Sequence, residues 1–166
     1  MAWFKRSSDE IDFLRGRAER GIGPEGMRPP TEEEITNPGA SFTYATEILH
    51  GRFIEGEDAI ALSSFASYLY ARDILHGRWP EGEVTILEFG IPEHVYLYAK
   101  EVIKGIWQEG EAVIAEDNWY SLLYARNILH GRFLLGEKAI AKNPHTSEPY
   151  RKTIYPEFKG KRYGDK

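Results

Sequence analysis

The sequence predicts an all-α fold, an α-solenoid of about five tandem helix-turn-helix repeats with a basic C-terminal tail. The first observation is a nine-residue stretch, "LHGRFIEGE" at residues 49–57, that recurs at residues 75–83, 103–111 and 129–137. We call these stretches, with the residues around them, copies 1 to 4. Their spacings of 26, 28 and 26 residues indicate an internal repeat array. The second observation is a spacing of three or four residues between apolar side chains ahead of each copy, which is typical of amphipathic helices.

Copy 2 shows how the long helix of each unit is expected to begin and end. In "SSFASYLYARDILHG" either Ser63 or Ser64 can cap the first turn. Gly77 is predicted to be the left-handed residue that ends the helix, and a ring nitrogen of His76 is placed to bond the last carbonyls. Gly51, Gly105 and Gly131 repeat this stop.

A short second helix is predicted after a turn of about four residues. It opens at Glu57, Glu83, Glu111 or Glu137, and an isoleucine follows three residues later each time. A carboxylate suits a helix N-terminus. The segment "EVTILEF" in copy 2 is the weak case because its composition favours a strand.

Three regions are predicted along the chain. Residues 1–40 form a degenerate N-terminal repeat, in which "LRGR" ends at Arg17, "EEEI" supplies Glu32 and Ile35, and a Gly/Pro-rich loop lies between them. Residues 41–142 hold the tandem repeats. Residues 143–166 form a basic, aromatic tail that either caps the last repeat or orders only on binding.

Composition and charge narrow the classes of function. The 166 residues include no cysteine, which removes disulfides, thiolate metal sites and cysteine nucleophiles. Residues 142–166 carry seven Lys/Arg against three Asp/Glu, whereas the whole chain has a net charge of -5, so nucleic acid would have to bind the tail. No apolar run is long enough to span a membrane, and the first residues lack a signal-peptide core. We expect a cytoplasmic protein.

The pattern "YArdILhGRwpEGE" resembles short tandem repeats in uncharacterised proteins of large tailed bacteriophages, over roughly residues 41–141. The resemblance implies a phage origin, hence the host cytoplasm, and a helical-repeat fold; it implies no activity and no catalytic residues. Copy 3 departs from the pattern, with Lys104 in place of His and Ile106 in place of Arg. A role that needs an unbroken row of arginines is therefore in doubt.

The repeated polar residues favour structural roles. His50, His76 and His130 are equivalent positions about one helix spacing apart, too far for one zinc ion, so we expect helix-end caps and no metal or cofactor. Because Glu111 has no arginine in its own copy, each glutamate is expected to serve backbone N–H groups or an arginine of a neighbouring copy. Identical surroundings cannot separate the pKa values of two catalytic carboxylates. The tyrosines at the start of each copy are expected in the core.

We therefore expect a non-enzymatic module that binds another protein, which for a phage protein would be a host or defence factor. The alternatives are nucleic-acid binding through the tail and a small-ligand site for a nucleotide beside the inserted loop, where Arg15, Arg17 and Glu32 are candidates. The sequence makes no prediction about the oligomeric state of the protein. The candidate binding residues lie in the loop, in the arginine row and in the tail: Arg17, Ile22, Glu25, Met27, Arg28, Arg52, Arg78, Arg132, Tyr155, Lys159 and Arg162.

Overall fold

The computed structural model describes residues 27–163. All regular secondary structure in this range is helical, which confirms the all-α prediction. The α-helices, α1 to α10 in chain order, are Glu32–Thr36, Pro38–Thr43, Glu57–Ile60, Ser64–Tyr70, Pro80–Phe89, Pro92–Leu97, Glu111–Ile114, Asn118–Tyr124, Glu137–Ile140 and Pro144–Thr153.

Four of these, α2, α4, α6 and α8, are the long helices of the copies, and each widens into a π-helical turn before it ends. The π turns are Tyr44–Leu49, Ala71–Leu75, Tyr98–Ile103 and Ala125–Leu129. Ser63 caps α4 by accepting the backbone N–H of Ala66, as predicted. At the other end, the N–H groups of His76 and Gly77 both donate to the Ala71 carbonyl. This pairing satisfies backbone donors that the turn would otherwise leave open.

The residue that turns left-handed is the one before the glycine, so the prediction for Gly77 is wrong. His50, His76, Lys104 and His130 have φ between 47° and 57°, while none of the following glycines has a positive φ. A histidine tolerates this conformation better than a bulky β-branched residue. The predicted ring contact holds in two copies, because Nδ1 of His50 donates to the Thr46 carbonyl at 2.8 Å and Nδ1 of His76 to the Arg72 carbonyl at 3.1 Å.

The glycine of each Gly-Glu pair is required by the aromatic residue three positions before it. A Cβ on Gly82 would lie 2.4 Å from the Trp79 ring and 2.9 Å from the Ser67 side chain. Gly136 is equally crowded, by Phe133 and Ser121. The ring folds over its own glycine, so the turn closes tightly before the short helix.

Copy 2 carries the longest second helix. Its "EVTILEF" segment lies in α5, a helix of 10 residues that ends at Gly90 with φ of 59°. The composition favours a strand, but α5 packs beside α4, and Thr85 donates to the Ala61 carbonyl. Two extra residues between Ile86 and the N-cap residue Ile91, where the chain turns at Gly90, account for the spacing of 28 residues to copy 3.

The degenerate N-terminal repeat aligns with the other copies one residue earlier than the sequence predicted. Ser67 and Ser121 each donate to a carbonyl seven residues earlier, at Ile60 and Ile114, and Ser41 does the same to Glu34. Glu34 therefore corresponds to the isoleucine of the other copies, not Ile35, and Glu32 does not take the place of Glu57. Thr31 stands at that position and caps α1.

The basic tail packs against copy 4. Helix α10 presents Tyr150 where the other copies have their first tyrosine, and Phe158 packs on it with ring centroids 4.7 Å apart. A Cβ on Gly160 would lie 2.6 Å from the Ser147 side chain, as at the glycines of Gly-Glu. The tail thus repeats the first half of a further copy and then covers it.

The core is a line of paired rings. Each copy packs its first tyrosine on the aromatic residue that follows its Gly-Arg or Gly-Ile pair, with centroids 4.8 to 5.1 Å apart. The tyrosines Tyr44, Tyr70, Tyr98 and Tyr124 are at most 1% exposed, as expected for core residues. Successive long helices contact one another from α2 to α10.

The left-handed residue gives a direct test at the copy 3 turn. We expect Lys104→Gly to raise the free energy of unfolding by about 0.5–1 kcal/mol, because glycine adopts positive φ without the cost that a side chain adds. Gly105→Ala is the matched control: nothing lies within 4 Å of the added Cβ and φ is not positive, so we expect a change within about 0.5 kcal/mol. Urea unfolding measures both, and a loss of stability in Lys104→Gly would contradict the assignment.

Candidate functional site

The polar residues repeated in the copies meet where one copy contacts the next. We call each such contact a junction, numbered by its first copy. At junction 1 the Tyr70 hydroxyl of copy 2 accepts the backbone N–H of Phe53 at 2.8 Å and donates to Glu57 at 3.0 Å. Arg52 binds the same carboxylate with Nε at 2.6 Å and Nη2 at 3.1 Å. One hydroxyl of copy 2 therefore bonds a backbone N–H and a carboxylate of copy 1, and that carboxylate also binds a guanidinium.

Junctions 2 and 4 have the same geometry. The Tyr98 hydroxyl lies 2.8 Å from both the Trp79 nitrogen and Glu83. The two bonds of Arg78 to Glu83 are 2.8 and 2.7 Å. At junction 4 the tyrosine is Tyr150 of the tail, which donates to Glu137 at 2.8 Å.

The expected partners of the glutamates were wrong. Each described arginine of the row pairs with the glutamate of its own copy, five residues ahead, and not with one in a neighbouring copy. The residue that crosses between copies is the tyrosine. Glu111, which has Ile106 in place of the arginine, keeps its bond to Tyr124 at 3.1 Å. Gly-Glu recurs in all four copies because the tyrosine bond needs it, with or without the arginine.

Burial and charge shift the pKa values at the junctions. Desolvation raises the pKa of Tyr124 and of Tyr150 to about 12, so both hydroxyls stay protonated and can donate at any physiological pH. The hydrogen bond from Arg132 lowers the pKa of Glu137. At junction 4 the ionised Glu137 carboxylate thus accepts from a neutral phenol, an arrangement suited to holding the tail on copy 4.

A second set of contacts between copies, which sequence analysis missed, lies on the long helices. The Tyr68 hydroxyl donates to Glu101 of copy 3 at 2.5 Å, and Arg72 lies over the Tyr68 ring at 4.9 Å while also contacting Glu101. At the equivalent position of copy 3, the Tyr96 hydroxyl instead accepts a hydrogen bond from the Asn127 amide of copy 4 at 2.8 Å. The signal was present in the sequence as a tyrosine two residues before the repeat tyrosine in copies 2 and 3.

The candidate binding residues of the inserted loop are partly described. Arg17, Ile22 and Glu25 lie outside the described residues. Met27 is half-buried, and Arg28 is exposed and binds Glu34 with Nη1 at 2.7 Å. The Tyr44 hydroxyl donates to the Arg28 carbonyl at 2.6 Å.

The tail candidates divide into packed rings and exposed cations. Tyr155 covers Arg132, whose guanidinium carbon is 3.9 Å from the ring centroid, and Phe158 is buried. Lys159 and Arg162 are exposed. Two of the tail's rings are thus occupied by contacts within the chain.

Large apolar side chains remain exposed at the two ends of the long helices. Where the helices start, the helix-start edge holds five such residues: Leu62, Phe65, Phe89, Ile91 and Trp119. In the turns that follow the helices, the turn edge holds four: Ile54, Ile106, Leu134 and Leu135. These positions vary from copy to copy, whereas the tyrosine and the glutamate of each junction do not.

No known protein family, curated protein or solved structure matches this chain. Between residues 27 and 163, no helix is long and apolar enough to cross a bilayer. The same range contains no group of three or more His, Asp or Glu side chains arranged to hold a metal ion.

The junction hydroxyl is expected to stabilise the fold measurably. Tyr70→Phe removes one of the hydrogen bonds to the buried Glu57 carboxylate and the acceptor of the buried Phe53 N–H, so we expect the free energy of unfolding to fall by about 1–3 kcal/mol. Tyr155→Phe is the control, because its hydroxyl makes no hydrogen bond within residues 27–163 and only its ring is used. Equal stability of the two variants in urea would show that the junction hydrogen bond contributes nothing.

Acid should weaken the N-terminal ion pair. The bidentate hydrogen bond from Arg28 lowers the pKa of Glu34 from 4.5 to about 2. Because this folded-state pKa is below the unfolded value, the pair stabilises the folded chain above pH 4.5 and is lost as the pH falls towards 2. Glu34→Gln should therefore lose less stability than the wild type between pH 5 and about 3. Glu33→Gln, which changes an exposed neighbour without an ion pair in the described range, should follow the wild-type profile.

Proposed function

We propose that this protein is a non-enzymatic helical-repeat module that binds another protein. In this proposal the copies form an α-solenoid of about five helix-turn-helix repeats, four clear and one degenerate at the N-terminus. The contacts between successive copies support a stacked array, because each junction joins one copy only to the next. Arrays of this kind present long continuous surfaces to their partners.

The exposed apolar edges carry the proposal. Phe65 and Trp119 are 50% and 51% exposed, and Leu134 and Leu135 are 68% and 59% exposed. Exposed aromatic and aliphatic side chains grouped in one region mark protein-binding surfaces. The polar residues that recur in the copies, in contrast, bind one another within the fold.

The resemblance to phage repeats suggests the kind of partner. A phage protein in the host cytoplasm would meet host and defence proteins, so we propose a bacterial protein of that class as the partner. The acidic body also supports a protein partner over nucleic acid, whose phosphates it would repel.

Nucleic-acid binding through the tail is the weaker alternative. Lys152, Lys159 and Lys161 are exposed and would attract phosphates. Base stacking, however, needs free rings, and Tyr150 and Phe158 are buried in the packing against copy 4. The nucleotide-site alternative depends chiefly on loop residues outside the described range.

Capture of partners from bacterial lysate tests the protein-binding proposal separately for the helix-start edge and the turn edge. We expect either Phe65→Ser with Trp119→Ser, or Leu134→Ser with Leu135→Ser, to lose at least one specific partner that the wild type retains. The loss should come without a fall in melting temperature, because these side chains are about half exposed or more. Glu116→Ser with Lys142→Ser, two exposed charged positions, is the control and should retain the partner. Identical capture by all forms would remove the edges as binding surfaces.

A further inference from the structure

Junction 3 lacks the arginine that the other three junctions share. Ile106 stands where copies 1, 2 and 4 have an arginine, yet Glu111 keeps its place at the start of α7. Its carboxylate accepts one hydrogen bond, from Tyr124 at 3.1 Å, and makes no ion pair within the described range of the chain. At the other junctions both oxygens of the glutamate are bound by a guanidinium.

The scaffold around this glutamate is otherwise the same as in the other copies. Lys104 takes the left-handed conformation, Trp107 is 1% exposed, and the Tyr98 and Trp107 rings pack at 5.0 Å. Residues Gln108–Gly110 form the same 3₁₀ turn as Ile54–Gly56 in copy 1. The site that binds a guanidinium three times in this molecule is thus preserved at junction 3, without the arginine.

A guanidinium can reach this site from solvent. The arginine side chains of the other junctions are 42% to 58% exposed, so they approach their glutamates from the surface. Ile106 itself is 56% exposed. An arginine from outside the chain would therefore approach the Glu111 carboxylate from the same solvent-exposed side.

The turn of copy 3 carries exposed Gln108 and Glu109 beside Ile106, whereas the corresponding turn of the next copy is apolar. Leu134 and Leu135 occupy the corresponding turn of copy 4, the next copy along the array, and belong with Ile106 to the turn edge. A partner that places an arginine on Glu111 can pack its neighbouring side chains against these residues. Lysine fits less well, because its ammonium is a point charge that cannot bond both carboxylate oxygens in a planar fork.

We propose that junction 3 is the docking point for an arginine side chain of the protein partner, which supplies from outside the guanidinium that copy 3 lacks. Apolar residues of the partner next to that arginine pack on Ile106, Leu134 and Leu135. This inference rests on the proposed function and adds to it a position and the chemistry of the partner. The site selects a basic residue flanked by apolar ones, and the chain's own repeat provides the template for the contact.

Titration of the ¹⁵N-labelled full chain with N-acetyl-arginine amide tests the docking point without knowledge of the partner. The Trp107 backbone N–H, which donates to Tyr124, reports on junction 3, and the Trp79 N–H reports on junction 2, where Arg78 is already present. We expect a saturable shift of the Trp107 signal at millimolar to about 100 mM ligand, the range for one exposed ion pair. The Trp79 signal should not shift. N-acetyl-lysine amide should bind junction 3 several-fold more weakly than N-acetyl-arginine amide.

The matched variant is Ile106→Arg, which restores the residue found in the other copies and should fold at least as well as the wild type. It should abolish the arginine-induced shift of Trp107, because its own guanidinium takes the carboxylate, and so should Glu111→Gln. Equal shifts at Trp107 and Trp79, no saturation, or an unchanged response in Ile106→Arg would overturn the proposal.

Partner capture separates this inference from the proposed function. If the wild type retains a lysate partner and both Ile106→Arg and Glu111→Gln lose it, the docking point stands. If Ile106→Arg retains that partner equally well, the docking point falls while protein binding stands. If the wild type forms a dimer in sedimentation experiments and Ile106→Arg does not, the arginine comes from a second copy of the chain and the proposal of a separate partner is overturned.

Discussion

A buried tyrosine hydroxyl needs both a donor and an acceptor, and that requirement sets how each copy meets the next. At junctions 1 to 4 the hydroxyl receives a backbone N–H from one side and gives its proton to a glutamate on the other. Leaving either group unpaired in the core would cost more than the bond itself contributes. The register between copies, the position of the aromatic residue and the recurrence of Gly-Glu all follow from this one demand.

Much of the fold could be predicted because its signals are local. The helical spacing, the cap at Ser63 and the stop near Gly77 depend on residues within one or two turns of each other. The partner of each glutamate could not be predicted in this way, since Tyr70 lies 13 residues after Glu57 and reaches it only through packing. The left-handed residue was assigned one position late because glycine is the commonest choice there.

The candidate site was predicted only in part, because its contacts also depend on how the chain packs. Arg52, Arg78 and Arg132 stood out as a row, but their fixed pairing with glutamate within each copy depends on the turn geometry. Ile106 was noted only as a departure from the pattern; its meaning needs the three complete junctions for comparison. The junctions also explain why either Phe or Trp can follow the turn. Trp79 and Trp107 leave their indole nitrogens unbonded in the described structure, so the junction uses the ring and not its N–H.

The packing of the tail on copy 4 shows how the number of repeat units in such a chain can change. Tyr150, Phe158 and Gly160 give copy 4 the contacts that a following copy would give, and then the chain diverges. Every copy therefore offers the same face forward and accepts the same face behind. A duplicated unit inserted between two existing ones would find compatible neighbours on both sides, so the number of units is free to change in evolution.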